Sequence, residues 1–242
     1  MKWQLVVRSV AVMFLCWLAL PANAATRSYT LYITAGTLTV NGAGGATMSA
    51  WGYTEVAGTP KFPGPTLTAN EGDTVNITVV NNHTINHNFL IRGVTTDTTA
   101  IAPGGNRVYS FTASTAGSYL YHDTLNSNIN REMGMYGMLW VGPSDGSSKA
   151  WTNGPSYSFQ RMWVVGEMDK SRWNDVAGSG GTVNTSVYKP NYFLINGQGG
   201  FDGMGNTATT IDGGVGQTAL VRIVNGGQFA QSLHFHGNHV QV

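Results

Sequence analysis

With 13 basic and 12 acidic residues over 242 positions, the chain carries no basic footprint for nucleic acid or anionic lipid. Thirty-two glycines, few charges and recurring Thr, Val, Tyr and Trp favour strands joined by turns over helices. The single cysteine, Cys16, excludes an internal disulfide.

The chain opens with Lys2 and Arg8, followed by the uncharged apolar stretch SVAVMFLCWLAL and the small residues Ala22 and Ala24. This pattern predicts a secretory signal peptide over residues 1–24, cleaved before Ala25. The apolar stretch is short for a membrane span, which needs about 20 residues, so no span is expected after cleavage. Removal of the leader takes Cys16 with it and leaves 11 basic against 12 acidic side chains. The expected location is exported, periplasmic or secreted.

From Ala25 onward, period-2 alternation is common. In TVNITVV, Val75, Ile77 and Val79 point one way, and Thr74, Asn76 and Thr78 the other. YTLYIT (29–34), RVYSFTA (107–113), GSYLYH (117–122) and YGMLWVG (136–142) read as further strands. FPGP (62–65), NEGD (70–73) and APGGN (102–106) supply turn chemistry between them. Such spacing indicates an all-β sandwich or barrel of roughly 115 residues, an ordinary domain size. The Gly/Ser/Pro-rich stretch 143–156 reads as a linker. YSFQRMWVVGEM (157–168), YKPNYFLING (188–197) and QTALVRIVN (217–225) then begin a second set of strands. Glu167 and Asp169 are expected at the strand end, on the surface.

The two halves repeat. EGDTVNITVVNN (71–82) resembles VGQTALVRIVNG (215–226), and each is followed within a dozen residues by a histidine-bearing segment. The expected organisation is a first domain over 25–142 and a second, incomplete one over 157–242. A sandwich ending there would expose its apolar inner face and an open edge. The pattern therefore reads as a fragment, or as a chain completed by missing C-terminal domains or a homo-oligomeric partner.

Half of the six histidines stand in the last stretch, QSLHFHGNHVQV (231–242). On a strand, His234 and His236 share a face about 6.6 Å apart, and imidazole suits copper, zinc and iron. His239 faces away on an unbroken strand; a bulge at Gly237-Asn238 would return it. His83 reads as a solvated turn residue, and Met133, Met135 and Met138 as packing residues. No G-x-S-x-G pattern points to a hydrolase.

FPGPTL, GDTVNITVVNN, GSYLYH, MGMYGMLWVGP, FLINGQ and LHFHG together resemble the cupredoxin domains of multicopper oxidases and copper nitrite reductases. The resemblance implies an all-β fold of tandem cupredoxin-like Greek-key β-sandwiches, the second incomplete, with copper as cofactor. It implies His234 as a mononuclear type 2 copper ligand and His236 as a ligand of the type 3 pair. It implies His87 and His122 as further copper candidates converging at one end of the first sandwich; His239 is a separate candidate through the bulge. The departures are as plain. The first half has one histidine, His87, where oxidases of the family have His-Trp-His-Gly. Thr124 stands where a second histidine would follow His122. Asp123 follows His122 where nitrite reductases have a His-Cys pair, Met135 sits where the axial methionine would be, and Gln231 stands where a type 1 ligand often precedes the His pair. Blue copper needs a Cys thiolate, and residues 25–242 have none. A trinuclear centre takes eight histidines in the family; this chain has six.

The function implied is an exported copper-dependent oxidoreductase. It would take one-electron steps from a small-molecule reductant and reduce oxygen, or in the nitrite reductase reading nitrite. The alternative is a non-catalytic, secreted, cupredoxin-like copper-binding or interaction module. A cupin, with its own His-X-His strand, lacks support because no carboxylate follows in HVQV.

Overall fold

The computed structural model describes residues 24–40, 45–200, 205–235 and 240–241. Residues 1–23, where most of the expected signal peptide falls, and both His236 and His239 lie outside the described residues. Eleven strands carry the architecture among the described residues: β1 (Thr26–Val40), β2 (Ala46–Thr54), β3 (Leu67–Asn70), β4 (Thr74–Asn81), β5 (Leu90–Ile91), β6 (Asn106–Thr112), β7 (Gly117–His122), β8 (Tyr136–Gly142), β9 (Phe159–Met168), β10 (Tyr192–Ile195) and β11 (Ala219–Asn225). Two four-residue helices, α1 (Ile129–Glu132) and α2 (Asp175–Gly178), accompany them.

Two four-stranded sheets, ordered β2-β1-β4-β6 and β3-β8-β7-β5, close the first sandwich. The alternation of β4 does what its sequence dictates: Val75, Ile77 and Val79 are fully buried and their polar neighbours face outward. Each such burial contributes about 1.5–3 kcal/mol. They meet Leu67, Tyr121, Leu139 and Val141 of the opposite sheet in one core. β8 does not alternate in sequence because it is covered on both faces. Leu139 and Val141 point into the sandwich, while Tyr136 and Met138 point outward with Leu120.

That outward face is covered by a third sheet, ordered β10-β9-β11, through Val164, Met168, Leu194 and Val224. A Cβ at Gly226 would overlap the Tyr136 ring, so this close approach needs glycine there. The stretch 143–156 is tied down rather than loose. Ala150 is buried, its N–H reaches Pro155 O, and its carbonyl accepts from Arg222 Nη2 at 3.0 Å.

The sequence repeat is also a topological one. β1 lies between antiparallel β2 and parallel β4; β9 lies between antiparallel β10 and parallel β11. The registers coincide: Ile33 stands opposite Asn81, and Val165 opposite Asn225. The turn chemistry repeats as well. Asn81 Oδ1 accepts from His83 N at 2.9 Å and its Nδ2 donates to Ile85 O at 2.8 Å. Asn225 Oδ1 accepts from Gly227 N at 2.9 Å and its Nδ2 donates to Phe229 O at 2.7 Å. The third sheet is thus a second copy of the β2-β1-β4 portion of the first.

Candidate metal-site residues

In the first repeat the Asn81 turn delivers the chain to His87, whose backbone exchanges hydrogen bonds with Ile101. The His87 ring is fully buried. Its Nδ1 lies 2.7 Å from Asp123 Oδ2, and its Nε2 lies 2.8 Å from His83 Nδ1. Asp123 is equally buried; its carboxylate also accepts from Asn130 Nδ2 at 3.0 Å, Leu125 N at 2.8 Å and Asn88 N at 3.3 Å. The Trp51 ring covers both imidazoles, with centroids 4.8 and 5.8 Å away.

This geometry fixes the tautomers. A carboxylate only accepts, so in a neutral His87 the proton sits on Nδ1 and Nε2 offers a lone pair. His83 Nδ1 then donates, which leaves the lone pair of His83 on Nε2; His83 lines a cleft of about 720 Å³ together with Trp51, Ser49, Thr84 and Thr182. Burial first, and the His87 ring second, lower the His83 pKa to about 4. His83 is therefore no solvated turn residue, as its sequence context suggested. It is half-buried and closes a chain of three side chains.

His122 lies on the other side of its strand. Tyr121 joins the sandwich core and Leu120 the cluster under the third sheet, so strand alternation puts His122 with Leu120 and away from His87. Its Nδ1 donates to the Asp123 carbonyl at 3.0 Å, and its Nε2 makes no hydrogen bond to any described residue. Burial lowers its pKa. The convergence of His87 and His122 expected from sequence is not what the chain builds: the two rings share no contact, because Asp123 occupies the inward side. Thr124 Oγ1 and N are taken up by the Asn88 side chain. Met133, Met135 and Met138 are fully buried core residues.

The residues around His87 do not fit a copper ion. Both ring nitrogens are engaged, Asp123 is saturated with donors, and no thiolate is present among the described residues. Among these residues no group of three or more His, Cys, Asp or Glu side chains is placed to hold a metal.

The second repeat differs at the equivalent loop. Glu167 and Asp169 are not on the surface as expected; they are 0% and 1% exposed. The Glu167 carboxylate reaches across to the loop after β11. There Oε1 accepts from Gln228 N and Phe229 N, each at 2.7 Å, and Oε2 from Gln231 Nε2 at 2.8 Å. Asp169 caps the turn after β9, accepting from Arg172 N and Lys189 N. Residues 231–235 follow without regular secondary structure and without sheet pairing to the described residues, not as the strand expected. His234 is exposed there, and the next residue, Phe235, stacks on Trp163 with centroids 6.1 Å apart and planes at 13°. The segment bearing His234 is held on one side by Glu167–Gln231 and on the other by Phe235–Trp163.

Composition gives no warning of the Asp123 and Glu167 networks. Two signals do exist in the sequence: a carboxylate at the position of a resemblance-implied cysteine, and another directly after the apolar run 162–166.

Residues 37–146 match the family model for multicopper oxidases. An L-ascorbate oxidase from Cucurbita maxima is 31% identical over 156 residues, covering 59% of this chain and 26% of that protein. A copper-containing nitrite reductase from Alcaligenes xylosoxydans xylosoxydans is 32% identical over 116 residues, 44% of this chain and 34% of that one. The chain thus spans between a quarter and about a third of these relatives. Among solved structures, a copper nitrite reductase from Nitrosomonas europaea superposes with a TM-score of 0.65 at 24% identity, covering 84% of this chain and 68% of that one. A blue copper oxidase from the same organism gives 0.65 at 22% identity, covering 84% and 61%.

Proposed function

This chain belongs to the superfamily of multicopper oxidases and copper nitrite reductases, with copper as its cofactor, and on that premise we propose that it is part of an exported copper-dependent oxidoreductase of the multicopper oxidase type. The two repeats would be its domains, 25–142 and 157–242, joined by 143–156. When bound, copper would supply one-electron redox chemistry between a small-molecule reductant and oxygen, with nitrite the alternative acceptor suggested by the name of a relative. In this chain His234 and His236 would hold it, with His239 and His122 as further donors.

One contrast carries this reading. The first repeat has closed its imidazole pocket with Asp123 and Asn130, whereas the second presents His234 exposed on a segment anchored at both ends. The first repeat then serves as scaffold, covering β9–β11 through Leu120, Tyr136 and Met138. The sealed pocket at His87 also favours a second reading, a secreted copper-binding or interaction module without catalysis. Replacing His234 and His236 with Ala in the complete protein decides between ligand and bystander. Loss of cluster copper with the first sandwich still folded supports the assignment; unchanged copper content by metal analysis overturns it. Oxygen uptake with a one-electron donor then separates the oxidase from the module.

A further inference from the structure

The coinciding registers allow the two repeats to be compared residue by residue. Ile33 and Val165 occupy equivalent places, as do Asn81 and Asn225. Two residues on from each, Ala35 corresponds to Glu167, and His83 to Gly227. In the first repeat the strand position holds a small residue and the loop position a large one. In the second the sizes are exchanged. A Cβ at Gly227 would overlap the Glu167 carboxylate, so the glutamate has room only because the loop residue is glycine. Glu167 and Gly227 are a matched pair, different from Ala35 and His83.

What the exchange adds is a fully buried carboxylate with both oxygens committed to one loop. The N–H groups of Gln228 and Phe229 converge on Oε1, and the Gln231 side chain on Oε2. Hydrogen bonds to a charged acceptor are about twice as strong as neutral ones. Asn225 braces the same loop through its side chain, and Gly226 N bonds to Val165 O at 2.9 Å. Gln231 stands six residues past Asn225, as His87 stands six past Asn81. In the first repeat that position turns to Asp123; in the second it is claimed by Glu167. His234 follows three residues later.

We propose that Glu167 is a positioning residue: its carboxylate clamps the loop 226–231 and so sets the direction from which His234 meets a copper ion. This rests on the reading of His234 as a ligand. Outer partners that orient a metal ligand are worth about 10- to 100-fold in metal affinity. Glu167 would act at one remove, through the backbone and Gln231.

The test uses the complete protein and four variants: Glu167→Ala, Glu167→Gln, Gly227→Ala and His234→Ala. In the metal-free protein, hydrogen exchange at the amides of Gln228 and Phe229 should quicken in Glu167→Ala and Gly227→Ala, with the amides of β4 and β7 unchanged. Glu167→Gln retains one carbonyl acceptor and should fall between them and the parent. With copper restored, affinity should drop about 10- to 100-fold in Glu167→Ala, the paramagnetic resonance hyperfine splitting should change, and Glu167→Gln should recover part of both. Unchanged exchange at Gln228 and Phe229 would overturn the clamp. Quickened exchange with parental copper affinity and spectrum would overturn its role toward the metal. If His234→Ala keeps full copper, the ligand reading itself falls, and the exchange result then describes a loop brace alone. Should Glu167→Ala fail to fold, Glu167→Gln and Gly227→Ala give the same comparisons.

Discussion

Asp123 Oδ2 lies 2.7 Å from His87 Nδ1, and neither side chain has any exposed surface. Such a pair holds together only while both partners and their further hydrogen bonds remain. Asp123→Ala would strand the His87 N–H, the Asn130 amide and two backbone N–H groups. A stability loss of about 1–3 kcal/mol for each buried donor left unpaired is expected. Urea unfolding followed by the signal of buried Trp51 measures it; a loss below about 1 kcal/mol would contradict the network described.

His83 gives a pH dependence. Its folded pKa is about 4, below the ordinary 6.5, because burial opposes the charged form. The unfolded chain therefore binds more protons between these values, so stability is full above the unfolded pKa and declines as pH falls from 6.5 towards 4. His122, also lowered by burial, slopes the same way. His83→Gln should flatten the decline in part. Identical slopes in parent and variant would show that the imidazole is not held neutral.

Glu132 slopes oppositely. Burial raises its pKa to about 7, against the lowering effect of the Tyr188 hydroxyl, which donates to Oε2 at 2.7 Å, and of Arg131. The folded state prefers the protonated acid, so its contribution is full below pH 4.5 and is lost as pH rises through about 7. Glu132→Gln should be less sensitive to pH across that window. A variant that loses stability equally at every pH would instead point to a specific need for the carboxylate.

Gly226→Ala places a methyl group against the Tyr136 ring, where the third sheet meets the sandwich. Overpacking of this kind costs about 1–3 kcal/mol. Calorimetry should show the cost; replacing Tyr136 with Leu in the same background should restore part of it, since the ring is what the methyl meets.

Much of this fold was legible because burial on one face writes itself as alternation. β4, β6 and β7 stand close to where TVNITVV, RVYSFTA and GSYLYH put them. β2 escaped notice because the Ala, Gly and Ser within ATMSAWGYT mask its period. β3 and β5, with four and two residues, are too short for any period. The site was read less well. Histidine spacing speaks of metals, but what a histidine does depends on who faces it across the sheet. Asp123, 36 residues from His87 in sequence, decides that its neighbour is a hydrogen-bond partner. Glu167 sat among Val164, Val165 and Met168, where a strand-end charge on the surface was the plain expectation. Its partners, Gln228 to Gln231, lie more than 60 residues away.

The matched exchange of Ala35 and His83 for Glu167 and Gly227 bears on engineering. The loops of the two repeats look interchangeable, sharing an asparagine and one register, yet each is keyed to its own strand. Grafting 226–235 into the first repeat to install a histidine there would leave Gln228 and Phe229 pointing their N–H groups at Ala35, a methyl group. The transplant needs a glutamate at position 35 to take. The reverse graft would drive the His83 ring into the Glu167 carboxylate. Duplicated sequence in this chain is therefore not modular at the scale of a loop; the smallest portable piece is a loop together with the strand residue it was fitted to.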